Sequence, residues 1–181
     1  MELSDEAAAA ARSGDLDALA EVYRALAPRV LGYLRARGVE DPEGTTSEVF
    51  LAVIPQLRQL RGGAAGLSTL VFSVAHARSV DEVRRAVRRP KVWEYDSAID
   101  PRLEPSAEVV AIGNVATRRT LERLALLSEE QRIVVTLRVL GDLSVEQTAQ
   151  ILGKSVGSVK QLQRRGLLAL RAMVESGKVT L

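Results

Sequence analysis

The sequence predicts an all-α protein, two small helical domains joined by an extended acidic linker. Three observations carry that reading. Apolar residues recur at helical spacing over long stretches, and none alternates with the period of a strand. The 181 residues are 46% hydrophobic but only 3% aromatic, and Ala, Leu, Val and Arg dominate, which suits helices held by aliphatic packing. Between residues 91 and 111 the period disappears among prolines and acids.

Each element follows in order. "MELSDEAAAAARSGD" is acidic and alanine-rich, without the basic start and apolar run of a signal peptide. Leu16, Leu19, Val22, Tyr23, Leu26, Val30 and Leu34 mark one face of a long helix that Gly38 ends. "GVEDPEG" is expected to be a loop built from turn residues. Val49, Phe50, Val53, Ile54, Leu57 and Leu60 form a second apolar stripe, with a kink expected at Pro55. "RGGAAG", 61–66, interrupts the pattern. Leu67, Leu70, Val71, Val74 and Ala75 resume it on a helix that runs into "VDEVRRAVRR" and stops at Pro90.

Residues 1–90 are therefore expected to be one domain, 91–111 the linker, with prolines at 101 and 105, and 112–181 the second domain. In the second, Ser128 followed by Glu129, Glu130 and Gln131 has the form of a capping box, as does Ser144 followed by Glu146 and Gln147.

Several function classes fall away. No stretch approaches the roughly 20 apolar residues that cross a bilayer, so no membrane insertion is expected. Without cysteine there are no disulfides or thiolate metal sites, and a cytoplasmic location is expected. His76 is the only histidine, and no acid pair or nucleotide loop is recognisable. "RGGAAG" has no strand before it and no Gly-Lys-Ser/Thr after it, unlike a phosphate-binding loop. No catalytic residue, metal or cofactor is expected.

The net charge of +2 is unevenly spread. Arg78, Arg84, Arg85, Arg88, Arg89 and Lys91 outnumber Asp81 and Glu82, and the following stretch to Glu108 is acidic. Lys154, Lys160, Arg164, Arg165 and Arg171 then have no acid between Gly153 and Val174. Two basic segments around an acidic one offer two docking places for a polyanion, with solvated helix faces as the alternative.

The C-terminal basic segment has a recognisable build. With Ser144 as cap, residues 145–152 form a short helix, Ala149 faces a neighbour at close approach, and Gly153 supplies a left-handed turn. Ser155 caps a second helix that buries Val159, Leu162, Gly166, Ala169 and Met173 and turns Lys160, Gln161, Gln163 and Arg164 outward. This is the helix-turn-helix pattern, in which the second helix enters the major groove. The residues expected to meet duplex DNA are Lys154, Ser155, Ser158, Lys160, Gln161, Gln163, Arg164 and Arg165.

A family resemblance extends this reading. "DPEGTTSEVFLAVIPQLRQLRGGAAGLSTLVFSVAHARSVDEVRRAVRRP" resembles the second region of bacterial sigma factors of the extracytoplasmic-function (ECF) group. "LERLALLSEEQRIVVTLRVLGDLSVEQTAQILGKSVGSVKQLQRRGLLALRAM" is similar to their fourth region. The resemblance implies a dissociable RNA polymerase subunit that captures a melted minus-ten strand with its second region. Its fourth region then binds the minus-thirty-five duplex. It implies core RNA polymerase, promoter DNA and an anti-sigma factor as partners. It places melted-strand contacts at Arg61, Ser68, Thr69, Arg78, Arg84, Arg85, Arg88 and Arg89, and polymerase contacts at Asp41, Glu43, Ser47, Glu48 and Phe50. The chain departs from the family pattern at Gly44, Thr45 and Ser47, where an acid, a leucine and a glutamine are usual. Leu70 and Phe72 stand where Trp and Tyr are common, and Phe72 is expected in the core. A stand-alone helix-turn-helix regulator and a degenerate sigma-like interaction protein remain the alternatives.

Overall fold

The computed structural model describes residues 3–88 and 118–175, and no described residue lies in a strand. The N-terminal helices are α1 (Asp5–Ser13), α2 (Leu16–Arg37), α3 (Pro42–Val53) and α4 (Gly63–Arg88), with a 3-10 helix over Ile54–Gln59 between the last two. The C-terminal helices are α5 (118–125), α6 (Glu129–Val139), α7 (Val145–Leu152) and α8 (Val156–Glu175). The expected linker, 91–111, lies outside the described residues.

Helix α1 was not expected from the apolar pattern, because its buried face consists of Ala7, Ala8 and Ala11 alone. Its start is nevertheless written in the sequence. Ser4 Oγ accepts the Ala7 N–H at 3.1 Å, and Asp5 and Glu6 place negative charge at the positive end of the helix.

Three boundaries correct the sequence reading, one of them at "RGGAAG", where only Arg61 and Gly62 interrupt the helices and α4 already begins at Gly63. "GVEDPEG" is only partly a loop, since α3 begins at Pro42 with Asp41 Oδ1 accepting the Gly44 N–H at 2.9 Å. An aspartate cap followed by proline at the first helical position outweighs the turn propensity of those residues. At Pro55 the change is of helix type, as α3 passes into the 3-10 helix there. Leu16 and Tyr23, placed on the apolar face of α2, are 79% and 46% exposed. That helix buries the smaller Ala18 and Ala25 instead, together with Val22, Leu26, Val30, Tyr33 and Leu34. Both expected capping boxes are formed, with the two-way bonds Ser128–Gln131 and Ser144–Gln147.

The two sets of helices share apolar surface. Leu137 and Leu143 of the C-terminal set belong to the same buried cluster as Leu26, Val30, Leu67, Val71 and Phe72. Ala36 of α2 joins a second cluster with Leu124, Leu127 and Val135. Fully burying side chains of this size contributes roughly 1.5–3 kcal/mol each. Polar links reinforce the contact. Arg37, its side chain buried at the end of α2, pairs with Glu129 in the first turn of α6 at 3.1 Å. Arg29 donates to the Gly141 carbonyl and lies over the Phe72 ring, 5.9 Å from its centroid.

Candidate nucleic-acid interface

The turn between α7 and α8 is built from side-chain and backbone bonds that the sequence specifies. Thr148, fully buried, donates its hydroxyl to the Ser144 carbonyl at 2.8 Å. Gly153 takes φ +61°, a region cheap only for glycine. There its N–H reaches the Gln150 carbonyl at 3.4 Å and the Lys154 N–H reaches the Ala149 carbonyl at 3.0 Å, the paired bonds of a Schellman ending. Ser155 Oγ then accepts the Ser158 N–H at 3.1 Å to start α8.

Packing sets which face α8 turns outward. Val159 is fully buried with Ala149 and Val134. Gly166 lets α8 press on α6, since a β-carbon there would meet Val135 Cγ2 at 2.7 Å. Lys160, Gln161, Arg164 and Arg165 consequently stand exposed. The other expected duplex contacts are partly committed to the fold. Lys154 pairs with Glu130 at 2.7 Å, Gln163 accepts from Arg138 Nε at 3.2 Å, Ser155 is the cap, and Ser158 is half-buried.

The residues assigned to the melted strand divide. Arg61, Arg84 and Arg85 are exposed. Arg78 is also exposed but pairs with Glu48 at 3.3 Å, which joins one residue of the strand set to one of the polymerase set. Ser68 and Thr69 are 9% and 7% exposed, and Thr69 lies beneath Gln147 of α7 at the wall of a cleft. The side chain of Arg88, and Arg89 altogether, lie outside the described residues. Phe72 is fully buried, as expected of a core residue, with its ring edge-on to Tyr33.

Asp41, the cap of α3, and Glu43, Ser47 and Glu48 on that helix are exposed. The hydrogen bond from Arg35 holds the Glu43 carboxyl below the usual carboxylate range. Phe50 is the correction in this set. It is 7% exposed and packs on Tyr23 with ring centroids 4.7 Å apart, so it supports the surface from beneath.

A cleft that the sequence did not reveal lies between the Arg61–Gly62 turn, the first turns of α4, and α7. It measures about 670 Å³, and Gln56, Gln59, Arg61, Thr69, Gln147 and Gln150 are among its walls. Glutamine amides beside an arginine offer donors and acceptors that suit the edges of nucleobases. Gln147, from α7, closes one side by donating to the Ala65 carbonyl at 2.8 Å and the Thr69 hydroxyl at 3.0 Å. No signal in the sequence points to this pairing, because it joins residues 78 apart. Among the described residues no cluster of His, Cys, Asp or Glu fits a metal ion.

Comparison with known proteins agrees with this geometry. Residues 117–170 match the family model Sigma-70, region 4. The ECF RNA polymerase sigma factor SigD of Mycobacterium tuberculosis is 31% identical over 174 residues, spanning 92% of this chain and 82% of that protein. ShbA of Streptomyces griseus, also an ECF RNA polymerase sigma factor, is 31% identical, with 90% of each chain covered. Among solved structures, CnrH in complex with the cytosolic domain of CnrY superposes with a TM-score of 0.68 at 20% identity, over 97% of this chain and 99% of that one. The sigma factor RpoE of Bartonella quintana, solved with the anti-sigma factor NepR, gives a TM-score of 0.59 at 17% identity, over 84% of this chain and 94% of that one.

Proposed function

This chain belongs to the ECF RNA polymerase sigma factors, and from that premise we propose how its residues divide the work of promoter recognition and transcription initiation. The observation that carries the assignment is the exposed basic face of α8, in a stretch free of acids from Lys154 to Val174, set on a glycine turn within the residues that match region 4. Lys160, Arg164 and Arg165 hold the minus-thirty-five duplex by its phosphates, and Gln161 and Ser158 read base edges.

The N-terminal helices hold the melted minus-ten strand. Arg61, Arg84 and Arg85 supply positive charge, and the cleft beside the Arg61–Gly62 turn accepts an unstacked base. The exposed acids at the cap and on the surface of α3, Asp41, Glu43 and Glu48, face core polymerase. Residues 1–90 and 112–181 act as the two domains, an anti-sigma factor is the further partner, and the cytoplasm is the place of action. No described helix is long and apolar enough to cross a membrane.

With α7 lying over α4, the strand-binding cleft is walled by Gln147 and Gln150 of the duplex-binding half. The two halves therefore separate before a strand enters, and polymerase supplies the binding energy for that step. Permanganate footprinting of holoenzyme on a responsive promoter tests the division of labour. Arg84→Ala with Arg85→Ala should abolish strand opening while protection of the minus-thirty-five duplex persists. Normal opening by that variant would remove these arginines from the mechanism.

A further inference from the structure

The loop beside the cleft has one shape, and much of what fixes it comes from outside the loop. Gly62 and Gly63 take φ +92° and +57° where the turn enters α4, and the Gly66 N–H makes the first bond of that helix to the Gly62 carbonyl at 2.8 Å. A β-carbon on Gly66 would sit 2.1 Å from the Arg61 carbonyl oxygen, so the turn is closed tightly on itself. At its exit α4 begins with orphan N–H groups, as every helix does. One of them, on Ala64, donates at 2.8 Å to Asp5 Oδ1, 59 residues earlier in the chain. The fit is close, since a β-carbon on Gly63 would lie 2.3 Å from that same oxygen.

Asp5 is itself well anchored. It is the first residue of α1, whose Ala7, Ala8 and Ala11 are buried against the N-terminal core. The aspartate thus performs two tasks, an acid in the first turn of its own helix and a cap for the N-terminus of another. Arg61, Gly62, Ala65 and Gly66 all line the cleft, so displacement of the loop by a fraction of an ångström changes the shape of its wall.

We infer that Asp5 is a positioning residue for minus-ten recognition, holding the Arg61–Gly62 turn and the first turn of α4 in the shape that decides which base the cleft admits. This rests on the reading of the cleft as a base-capture site. A purely structural cap would lower stability and leave base preference unchanged, and this difference makes the inference testable.

The experiment is transcription by holoenzyme from a promoter library randomised through the minus-ten element, with the transcribed templates sequenced. Asp5→Ala should reduce the preference between the best and next-best base by about five- to tenfold at the position the cleft reads, with minus-thirty-five preference unchanged. Asp5→Asn, which keeps an acceptor oxygen, should restore the preference. Ala64→Pro removes the donor at a first-turn position where proline is tolerated and pushes the Asp5 carboxylate off the turn, and should broaden the preference while leaving the residues of α1 unchanged, which covers the case that Asp5→Ala folds poorly. Arg61→Ala is the control for the cleft. If Arg61→Ala alters minus-ten preference while Asp5→Ala and Ala64→Pro leave it intact, Asp5 is only a cap and the inference fails. If none of the three changes it, the base-capture reading fails and takes the inference with it.

Discussion

The side-chain amide of Gln147 donates to the Thr69 hydroxyl at 3.0 Å, joining the supporting helix of the helix-turn-helix to the helix that lines the glutamine-walled cleft. Thr69 in turn donates to the Ala65 carbonyl at 2.8 Å, which Gln147 also reaches, so three groups form a small closed network. Such a network is incompatible with a strand lying on the same face of α4. The chain contains no cysteine, so Thr69→Cys with Gln147→Cys gives a unique pair for a short thiol-specific cross-linker. Initiation by the cross-linked protein should fall to background while the unlinked double variant remains active. Full activity after cross-linking would mean that the helices need not part.

Packing at the turn gives a test independent of DNA. Gly166→Ala should gain about 1 kcal/mol from helix propensity if the site were open. Instead its β-carbon would lie 2.7 Å from Val135 Cγ2, on a stiff branched side chain, and overpacking of this kind costs typically 1–3 kcal/mol. The expected outcome is a net loss of stability in urea unfolding. Gly153→Val, at φ +61°, should cost about 1 kcal/mol or more by the same measurement.

Exposed and committed basic positions should behave differently on duplex DNA. Lys160→Ala or Arg164→Ala should weaken binding at every sequence and reduce the slope of log affinity against log salt by about one. Gln161→Ala should alter sequence preference with little change in that slope. Gln163→Ala should act mainly through stability, because its carbonyl oxygen is engaged by Arg138. The measurement is a salt titration of holoenzyme on a minus-thirty-five duplex.

Acid should loosen the fold through His76. Burial, and then the charge of Arg37, lower the pKa of His76 from 6.5. The nearby Tyr33 hydroxyl, pushed up to about 12 chiefly by burial, stays protonated and lies 2.8 Å from His76 Nδ1. The folded protein therefore binds fewer protons at His76 than the unfolded chain just below pH 6.5. The stabilisation is complete above that pH and is lost as pH falls through the folded value. Urea midpoints at about pH 7.5 and about pH 5.5 should differ in the wild type, and His76→Gln should flatten the difference.

Legibility in the sequence followed the range of the interactions. Gly153, the box at Ser144 and buried Val159 depend on neighbours within one or two turns, and local spacing revealed them. The start of α3 was equally local but was hidden because Asp41, Pro42 and Gly44 are turn residues as well as helix-start residues. Helix α1 escaped because alanines leave little apolar contrast. Phe50 and Thr69 were assigned to surfaces by motif, yet their burial depends on Tyr23 and on α7, contacts that no short window contains. Asp5 and the glutamine-lined cleft depend wholly on tertiary placement.

The central claim is that this chain directs core polymerase to promoters, and run-off transcription tests it most directly. Bacterial core RNA polymerase, genomic DNA of the source organism and the purified protein should together yield discrete transcripts that neither polymerase nor protein gives alone. Their start sites should share sequence elements near minus ten and minus thirty-five, and Lys160→Ala with Arg164→Ala should reduce all of them. Absence of any protein-dependent transcript, together with tight, specific duplex binding in the absence of polymerase, would contradict the account and mark the chain as a stand-alone regulator.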